Sequence, residues 1–283
     1  MCEKSDVLTE EFTQKQLEYI ANIEFIHEYP GHLSLDEILP DINSNDLRVF
    51  VLGKPKNWKD DIKNHGEILG LLGKEGISKL YLPNISGFTG VVCEDYQFDY
   101  FSKIGNLDIY NHLKTEGLII PKQSAALFCT ADCPTVVYYD YTRDTMIAFH
   151  AGLGSLVDLP MILTDQRSRF EESVIDDMVG LIEEPENYEI YIIGCISHNS
   201  FIYDLNDQKY GEGNKKILDH LVHNFGGDTV PFGSNHCGIS LPNIIKRQFL
   251  DHGFDTNRIH VDDIDTHTDP RFWSHSESVK NGT

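Results

Sequence analysis

The stretch TADCPTVVYYDYTRDTMIAFHAGLG, residues 130–154, contains two apolar runs separated by the short polar segment DYTRD. Tyr, Val, Ile and Phe flank this polar segment, a pattern that is typical of a β-hairpin. Cys133 precedes the first run and His150 ends the second, with ten residues from Cys133 to Arg143 and seven from there to His150. A turn near Arg143 therefore brings the thiol and the imidazole together at one end of the hairpin.

The predicted proximity of Cys133 and His150 allows three interpretations. Thiolate and imidazole both bind zinc and copper, and a catalytic zinc takes three protein ligands and keeps one position open. The same two groups can act as a nucleophile and its base. Both can also be packing residues, because cysteine is often buried. Asp132, beside the thiol, is either an outer partner of an imidazole or a turn residue.

The composition is that of an ordinary globular protein, with 40% hydrophobic and 24% charged residues in a chain of 283. The formal net charge of −22 argues against a nucleic-acid partner, because phosphate contacts need clustered Lys and Arg. No apolar run approaches the roughly 18 residues that a membrane span needs. The acidic, polar N-terminus lacks the pattern of a signal peptide. We therefore expect neither nucleic acid nor a membrane as a partner.

The cysteines do not form the pattern of a disulfide framework. Their spacing is irregular and no CxxC pair occurs, so we expect reduced thiols and a cytoplasmic location. The six cysteines stand at positions 2, 93, 129, 133, 195 and 237.

Predicted helices and strands follow one another in mixed order. The period of the apolar residues and the capping signals predict helices over 8–22, 59–73, 169–184, 214–225 and 241–253. Strand-like runs occupy 47–53, 78–84, 124–140, 144–152, 188–195 and 258–264, of which 124–140 holds one or two strands. This order predicts an α+β fold, a layered α/β sandwich with mixed sheets.

TADCP followed at this spacing by HAG resembles the YfiH/laccase-domain family, once called polyphenol oxidases and later described as purine nucleoside phosphorylases. Further segments that resemble the family are EGLIIPKQSAALFCTADCP (116–134), YIIGCISHNSFIYD (191–204), ISLPNIIKRQFLDHGF (239–254) and DTHTDPRFWSHS (265–276). The resemblance spans residues 25–283 as a single domain and leaves 1–24 as an N-terminal helical extension. It implies the family's layered α+β fold, which is similar to that of certain bacterial toxin deamidases.

The resemblance also implies a metal centre. Members of the family bind a metal, usually zinc, through His-Cys-His, and Cys133 and His150 match the second and third ligands. YLPNISGF, residues 81–88, places Ser86 where the first histidine belongs. We therefore expect zinc or copper in a degraded site, at low occupancy unless another histidine substitutes. The candidates for that substitution are His27, His112, His198, His236 and His275.

The activity implied is the phosphate-dependent cleavage of a purine nucleoside such as adenosine or inosine. Ser276 and the pair Glu28–Tyr29 stand where the family has arginines, so we expect poor phosphate binding and slow turnover. Two alternatives remain open. One is a Cys–His hydrolase or deamidase in which Cys133 attacks, His150 is the base and Asp132 or Ser86 assists. The other is an inactive family scaffold that acts as a binding protein.

Overall fold

A computed structural model describes residues 32–34, 49–52, 70, 72–83, 85, 92–94, 97–112, 115–128, 130–166, 172–182, 185–231, 237–272 and 274–276. The helix predicted over 8–22 lies outside these residues, as does the whole extension 1–24. Most of the helix predicted over 59–73 lies outside them as well.

Among the described residues, ten short strands precede the first of the helices named below, and four further strands are interspersed with the later helices. The strands are β1 (His32–Ser34), β2 (Phe50–Leu52), β3 (Lys79–Pro83), β4 (Val92–Cys93), β5 (Asp99–Ile104), β6 (Leu107–His112), β7 (Gly117–Ile120), β8 (Ser124–Ala126), β9 (Thr135–Asp140), β10 (Thr145–His150), β11 (Tyr188–Ile193), β12 (Ile202–Tyr203), β13 (Cys237–Gly238) and β14 (Ile259–Val261). The α-helices are α1 (Leu153–Leu156), α2 (Leu159–Thr164), α3 (Val174–Gly180), α4 (Gly211–Phe225) and α5 (Leu241–Asp251).

A six-stranded mixed sheet forms the centre of the fold, in the order β14-β11-β9-β10-β7-β4. The inner pairs are antiparallel, whereas the two edge strands β14 and β4 run parallel to their neighbours. A second sheet of four strands has the order β5-β6-β3-β8. Two-stranded sheets pair β1 with β2 and β12 with β13. The predicted α+β class with mixed sheets is confirmed.

The two faces of the six-stranded sheet pack against different layers. Because side chains alternate between faces along a strand, Val136 and Tyr138 point one way and Val137 and Tyr139 the other. The first face is buried with apolar residues of helices α3, α4 and α5. The second is buried with Tyr81 of β3 and Phe98, which connect it to the four-stranded sheet. Helices, central sheet and second sheet are therefore successive layers.

Most of the elements predicted from the sequence have counterparts in the structure. The hairpin of β9 and β10 is present, and its register runs from Asp140 opposite Thr145 to Thr135 opposite His150. Helix α5 begins after Ser240, whose side chain accepts a hydrogen bond from Asn243 N, and Gly253 follows its end with a φ of +84°. The helix predicted over 169–184 is shorter, because the capping box of Ser173 and Asp176 starts α3 at Val174.

The hairpin of β5 and β6 has no counterpart among the predicted elements. The segment 99–112 mixes tyrosines and isoleucines with charged residues, so its apolar residues follow neither the helical period nor the strand period. Gly105, at φ +58°, allows the tight turn between the two strands. Helices α1 and α2 were also not predicted, since each spans fewer than two full turns.

Candidate functional site

The open end of the β9–β10 hairpin forms the centre of the candidate site. The last cross-strand pair places His150 opposite Thr135, and a hydrogen bond from Ala151 N to Pro134 O at 3.0 Å extends the pairing by one step. Cys133 directly precedes Pro134. The main-chain pairing therefore carries the thiol and the imidazole to the same end of the hairpin.

The side chains of Cys133 and His150 face one another beside Gly152. A Cβ atom built on Gly152 would lie 3.1 Å from Cys133 Sγ, 3.1 Å from His150 Nε2 and 2.8 Å from His150 Cε1. The thiol lies close enough to the imidazole to raise the pKa of His150. Gly152 has an ordinary extended backbone, with φ −75°, so its main chain does not require a glycine. What glycine provides at this position is the empty space that a side chain would fill. Both donor atoms border that space.

Glu116 holds the other side of the imidazole. His150 Nδ1 lies 2.8 Å from Glu116 Oε2, and His150 N donates a hydrogen bond to Glu116 O at 2.7 Å. The carboxylate is fully buried and His150 is 7% exposed. A hydrogen bond from Nδ1–H to the carboxylate leaves Nε2 facing the thiol, which fixes the orientation of the ring.

The pKa of His150 is raised by this arrangement. Burial lowers the pKa, because it disfavours the charged imidazolium, but the hydrogen bonds to Cys133 and Glu116 and the charges of these two groups raise it. The raising effects prevail and bring the pKa from 6.5 to about 9. In the metal-free protein the imidazole therefore carries a proton at neutral pH, and a metal ion would have to displace it.

Asp132 contacts a different part of the chain. Its Oδ1 accepts a hydrogen bond from Thr266 Oγ1 at 2.9 Å, and its Oδ2 accepts one from Ser276 N at 2.7 Å. The carboxylate paired with the imidazole is that of Glu116, a residue that the sequence analysis did not single out. The signal for it was an acidic residue at the start of a buried apolar run, directly before β7.

The remaining candidate ligands are only partly described. Ser86, His27 and His236 lie outside the described residues, and of His112 only the main chain is described, at the end of β6. Among the described residues no group of three or more His, Cys, Asp or Glu side chains could hold a metal ion. Within that part of the chain, Cys133 and His150 are a pair of donors without a third.

Carboxylates lie near a second thiol of this region, that of Cys195. The pKa of the Cys195 thiol is raised well above its usual value by burial and then by the negative charges of Cys133, Asp262, Asp132 and Asp265. Burial also raises the pKa of Asp262 to about 6. The main chains of Cys195 and Asp265 form an isolated parallel β-bridge. This concentration of negative charge around Cys195 disfavours an anion there.

A cavity of about 300 Å³ lies between the helices, and neither Cys133 nor His150 lines it. Its wall includes Leu156 and Val157 together with residues of α3, α4 and α5. Gln248 also lines it, and its Nε2 donates a hydrogen bond to Leu156 O at 2.8 Å. The cavity and the Cys133–His150 pair are therefore separate features of the molecule.

Comparison with known proteins assigns the chain to a family. The model of the family described as multi-copper polyphenol oxidoreductase laccase matches residues 106–283, which include Glu116, Cys133, His150 and Gly152. The chain belongs to this family. Among the curated proteins none matches the chain.

Three solved structures have a similar fold. The hypothetical protein YfiH of Bacillus licheniformis is 14% identical with a TM-score of 0.53, over 79% of this chain and 78% of that one. NMB0706 of Neisseria meningitidis is 14% identical with a TM-score of 0.51, over 88% and 85%. YlmD of Geobacillus stearothermophilus is 13% identical with a TM-score of 0.51, over 78% and 76%. At such identities the likeness shows a shared laccase-domain fold. No helix within the described residues has the length and apolar character to cross a membrane.

Proposed function

We propose that the protein is a metal-dependent enzyme that cleaves purine nucleosides, and that Cys133 and His150 are its metal ligands. The family to which it belongs is associated with purine nucleoside phosphorylase-like activity. One observation carries the proposal: a thiol and an imidazole nitrogen border the same space beside Gly152, and a buried carboxylate holds the far nitrogen of the ring.

The donor set fits a zinc or copper ion. Sulfur and imidazole nitrogen suit both metals, and a metal-bound histidine usually gives its other N–H to a carboxylate, as His150 gives its Nδ1–H to Glu116. Zinc at Cys133 and His150 would supply Lewis acidity, which stabilises negative charge that develops on an oxygen in the transition state. With two protein ligands, binding is weak, so we expect less than one metal per chain unless the Ser86 region or a histidine contributes a third.

The protein's own groups prepare the centre. Glu116 orients the imidazole through both its side chain and its main chain, and Gly152 keeps the space beside the two donors free. The imidazole is nearly buried, which strengthens electrostatic interactions there because little water competes. These features support a centre whose geometry is set before a substrate arrives.

Phosphate is a poor partner for this centre as the sequence stands. Asp132, Asp262 and Asp265 place negative charge near Cys195, and Ser276, at the position of a family arginine, gives its main-chain N–H to Asp132. Loss of a charged hydrogen-bond partner typically costs about 1.5–3 kcal/mol, which is roughly ten- to a hundredfold in rate. We therefore propose phosphate-dependent cleavage that is slow.

A second candidate function is a cysteine hydrolase or deamidase. The observation that favours it is the order Glu116–His150–Cys133, in which a carboxylate orients an imidazole whose other nitrogen and the thiol border the same space. The raised pKa of His150 gives an imidazolium that can stabilise a thiolate without any metal. A third candidate, a scaffold that binds a partner without catalysis, follows if both chemistries fail.

Purine release from adenosine and inosine tests the first function. The assay is run with and without phosphate and with and without added zinc, on the whole chain and on Cys133→Ala and His150→Ala. We expect slow, phosphate-stimulated release that both variants abolish, because both side chains serve one centre. Cys93→Ala and His223→Ala are matched controls, since Cys93 lies in the apolar core and His223 on helix α4. Folded wild type that releases no purine under any of these conditions would refute the proposal.

Alkylation separates the second candidate from the first. Fast modification of Cys133 by iodoacetamide in the metal-free protein, lost in His150→Gln, supports the thiol hydrolase if the protein releases no purine with added zinc. If added zinc blocks the modification and restores purine release, the metal enzyme is supported instead.

A further inference from the structure

Asp132 stands at a bend in the main chain directly before the thiol. Its φ is +76°, in the left-handed region, which aspartate occupies more readily than most residues other than glycine. The residue is buried, at 6% exposed. A buried carboxylate is destabilising unless its oxygens accept hydrogen bonds. The donors that contact Asp132 therefore indicate its structural role.

The partners of Asp132 come from distant parts of the sequence. Thr266 Oγ1 donates to Oδ1 at 2.9 Å and Ser276 N donates to Oδ2 at 2.7 Å, across 134 and 144 residues. On the main chain, Ile196 N donates to Asp132 O at 2.8 Å. One residue therefore joins the C-terminal segment and the turn after β11 to the start of the hairpin.

The C-terminal segment is docked by further bonds beside this one. Thr266 N donates to Cys195 O at 3.3 Å, and Asp265 accepts hydrogen bonds from Ser197 N at 3.0 Å and from Ser197 Oγ at 2.7 Å. Asp265 and Thr266 thus lie against the turn 194–197, and Thr266 and Ser276 both reach Asp132. The peptide of Cys133 lies between Asp132, which these elements hold, and Pro134, which accepts the hydrogen bond of Ala151.

We infer that Asp132 is a positioning residue, whose carboxylate fastens segment 266–276 to the peptide that carries Cys133 and thereby holds the thiol against His150. The inference rests on the proposed function, since it concerns the same centre, and it assigns Asp132 a role through hydrogen bonds and not through its charge. The position of the Cys133 thiol then depends on the hydrogen bonds that Thr266 and Ser276 make to Asp132.

Substitution by asparagine separates hydrogen bonding from charge. Asparagine has nearly the same shape and tolerates a positive φ. Its Oδ1 can accept from Ser276 N, and its Nδ2 can donate to Thr266 Oγ1, because a hydroxyl also accepts. Alanine provides neither bond. Thr266→Val removes the hydroxyl alone, and Thr268→Val is its matched control, because the Thr268 hydroxyl donates to Asp265.

The readout is the rate at which iodoacetamide modifies Cys133 in the metal-free, full-length protein, with the modified residue located by peptide mass spectrometry. The rate reports whether the thiol keeps its position beside His150. We expect a fall of roughly ten- to a hundredfold in Asp132→Ala, the penalty typical of a misplaced reactive group. Asp132→Asn should stay near wild type, and Thr266→Val should fall further than Thr268→Val.

Two results would overturn the inference. One is an alkylation rate in folded Asp132→Ala and in Thr266→Val equal to that of wild type. The other is a loss in folded Asp132→Asn as large as in Asp132→Ala, which would assign the role to the charge. If Asp132→Ala does not fold, the comparison of Thr266→Val with Thr268→Val decides the matter. The alkylation assay requires neither metal nor nucleoside. Failure of purine release would therefore refute the proposed function, and the role of Asp132 would still be tested by alkylation.

Discussion

Glu116 contacts His150 through both its side chain and its main chain. Glu116 Oε2 lies 2.8 Å from the ring nitrogen Nδ1, and Glu116 O accepts a hydrogen bond from His150 N at 2.7 Å. The register of β7 and β10 places these two residues side by side, since Gly117 lies opposite Phe149. The carboxylate is thus fixed by the sheet itself, and the direction of the imidazole follows from strand pairing.

Glu116→Gln should lower the pKa of His150 from its value of about 9, because the variant removes the negative charge and keeps a hydrogen-bonding group. The pKa is measured by NMR titration of the imidazole in the metal-free protein. Glu189→Gln is the matched control, because Glu189 pairs with His260 at 2.6 Å and should leave the titration of His150 unchanged. An unaltered His150 pKa in Glu116→Gln would show that the carboxylate does not control the ring.

The stability of the metal-free protein should depend on pH through His150. Its pKa in the folded protein, about 9, lies above the ordinary 6.5, so the stabilisation is fully present below pH 6.5 and is lost as the pH rises through 9. The size of the shift corresponds to about 3 kcal/mol. Urea unfolding at about pH 6 and about pH 10 gives the two free energies. His150→Gln should show a smaller drop between them, and an equal drop in both proteins would contradict the shift.

Gly152→Ala should damage the centre by crowding alone. The added Cβ would lie 2.8 Å from His150 Cε1 and 3.1 Å from Cys133 Sγ, so the two side chains must separate. We expect a loss of about 1–3 kcal/mol in the free energy of unfolding, together with slower alkylation of Cys133. Gly180→Ala is the matched control, because a Cβ there meets nothing within 4 Å. Purine release, alkylation and stability in Gly152→Ala that all equal those of Gly180→Ala would show that the space beside the two donors is not needed.

The hairpin could be predicted because its information is local. Alternating Val, Tyr, Ile and Phe around DYTRD determine both strands and the turn, and counting from the turn relates Cys133 to His150. The fold class followed from the same kind of local pattern. The helix over 169–184 was predicted too long. Its apolar period extends beyond both ends of α3, which begins after the Ser173 cap and ends at Gly180.

The partners of the two central residues could not be predicted, because they depend on long-range pairing. Glu116 reaches His150 only through the register of β7 with β10, and Asp132 meets Thr266 and Ser276 across more than a hundred residues. The sequence analysis therefore placed an acid beside the thiol and missed the acid beside the imidazole. Ser86, the position of the family's first ligand, lies outside the described residues and stays a prediction.

Metal analysis of the purified whole chain beside Cys133→Ala tests the central claim most directly. Both proteins are loaded with zinc and with copper, freed of excess metal by gel filtration and measured by inductively coupled plasma mass spectrometry, with Cys93→Ala as the control thiol. The account predicts zinc or copper in wild type and Cys93→Ala, below one per chain if no third ligand contributes, and none in Cys133→Ala. Equal metal in wild type and Cys133→Ala, or no metal in any of the three, would contradict it.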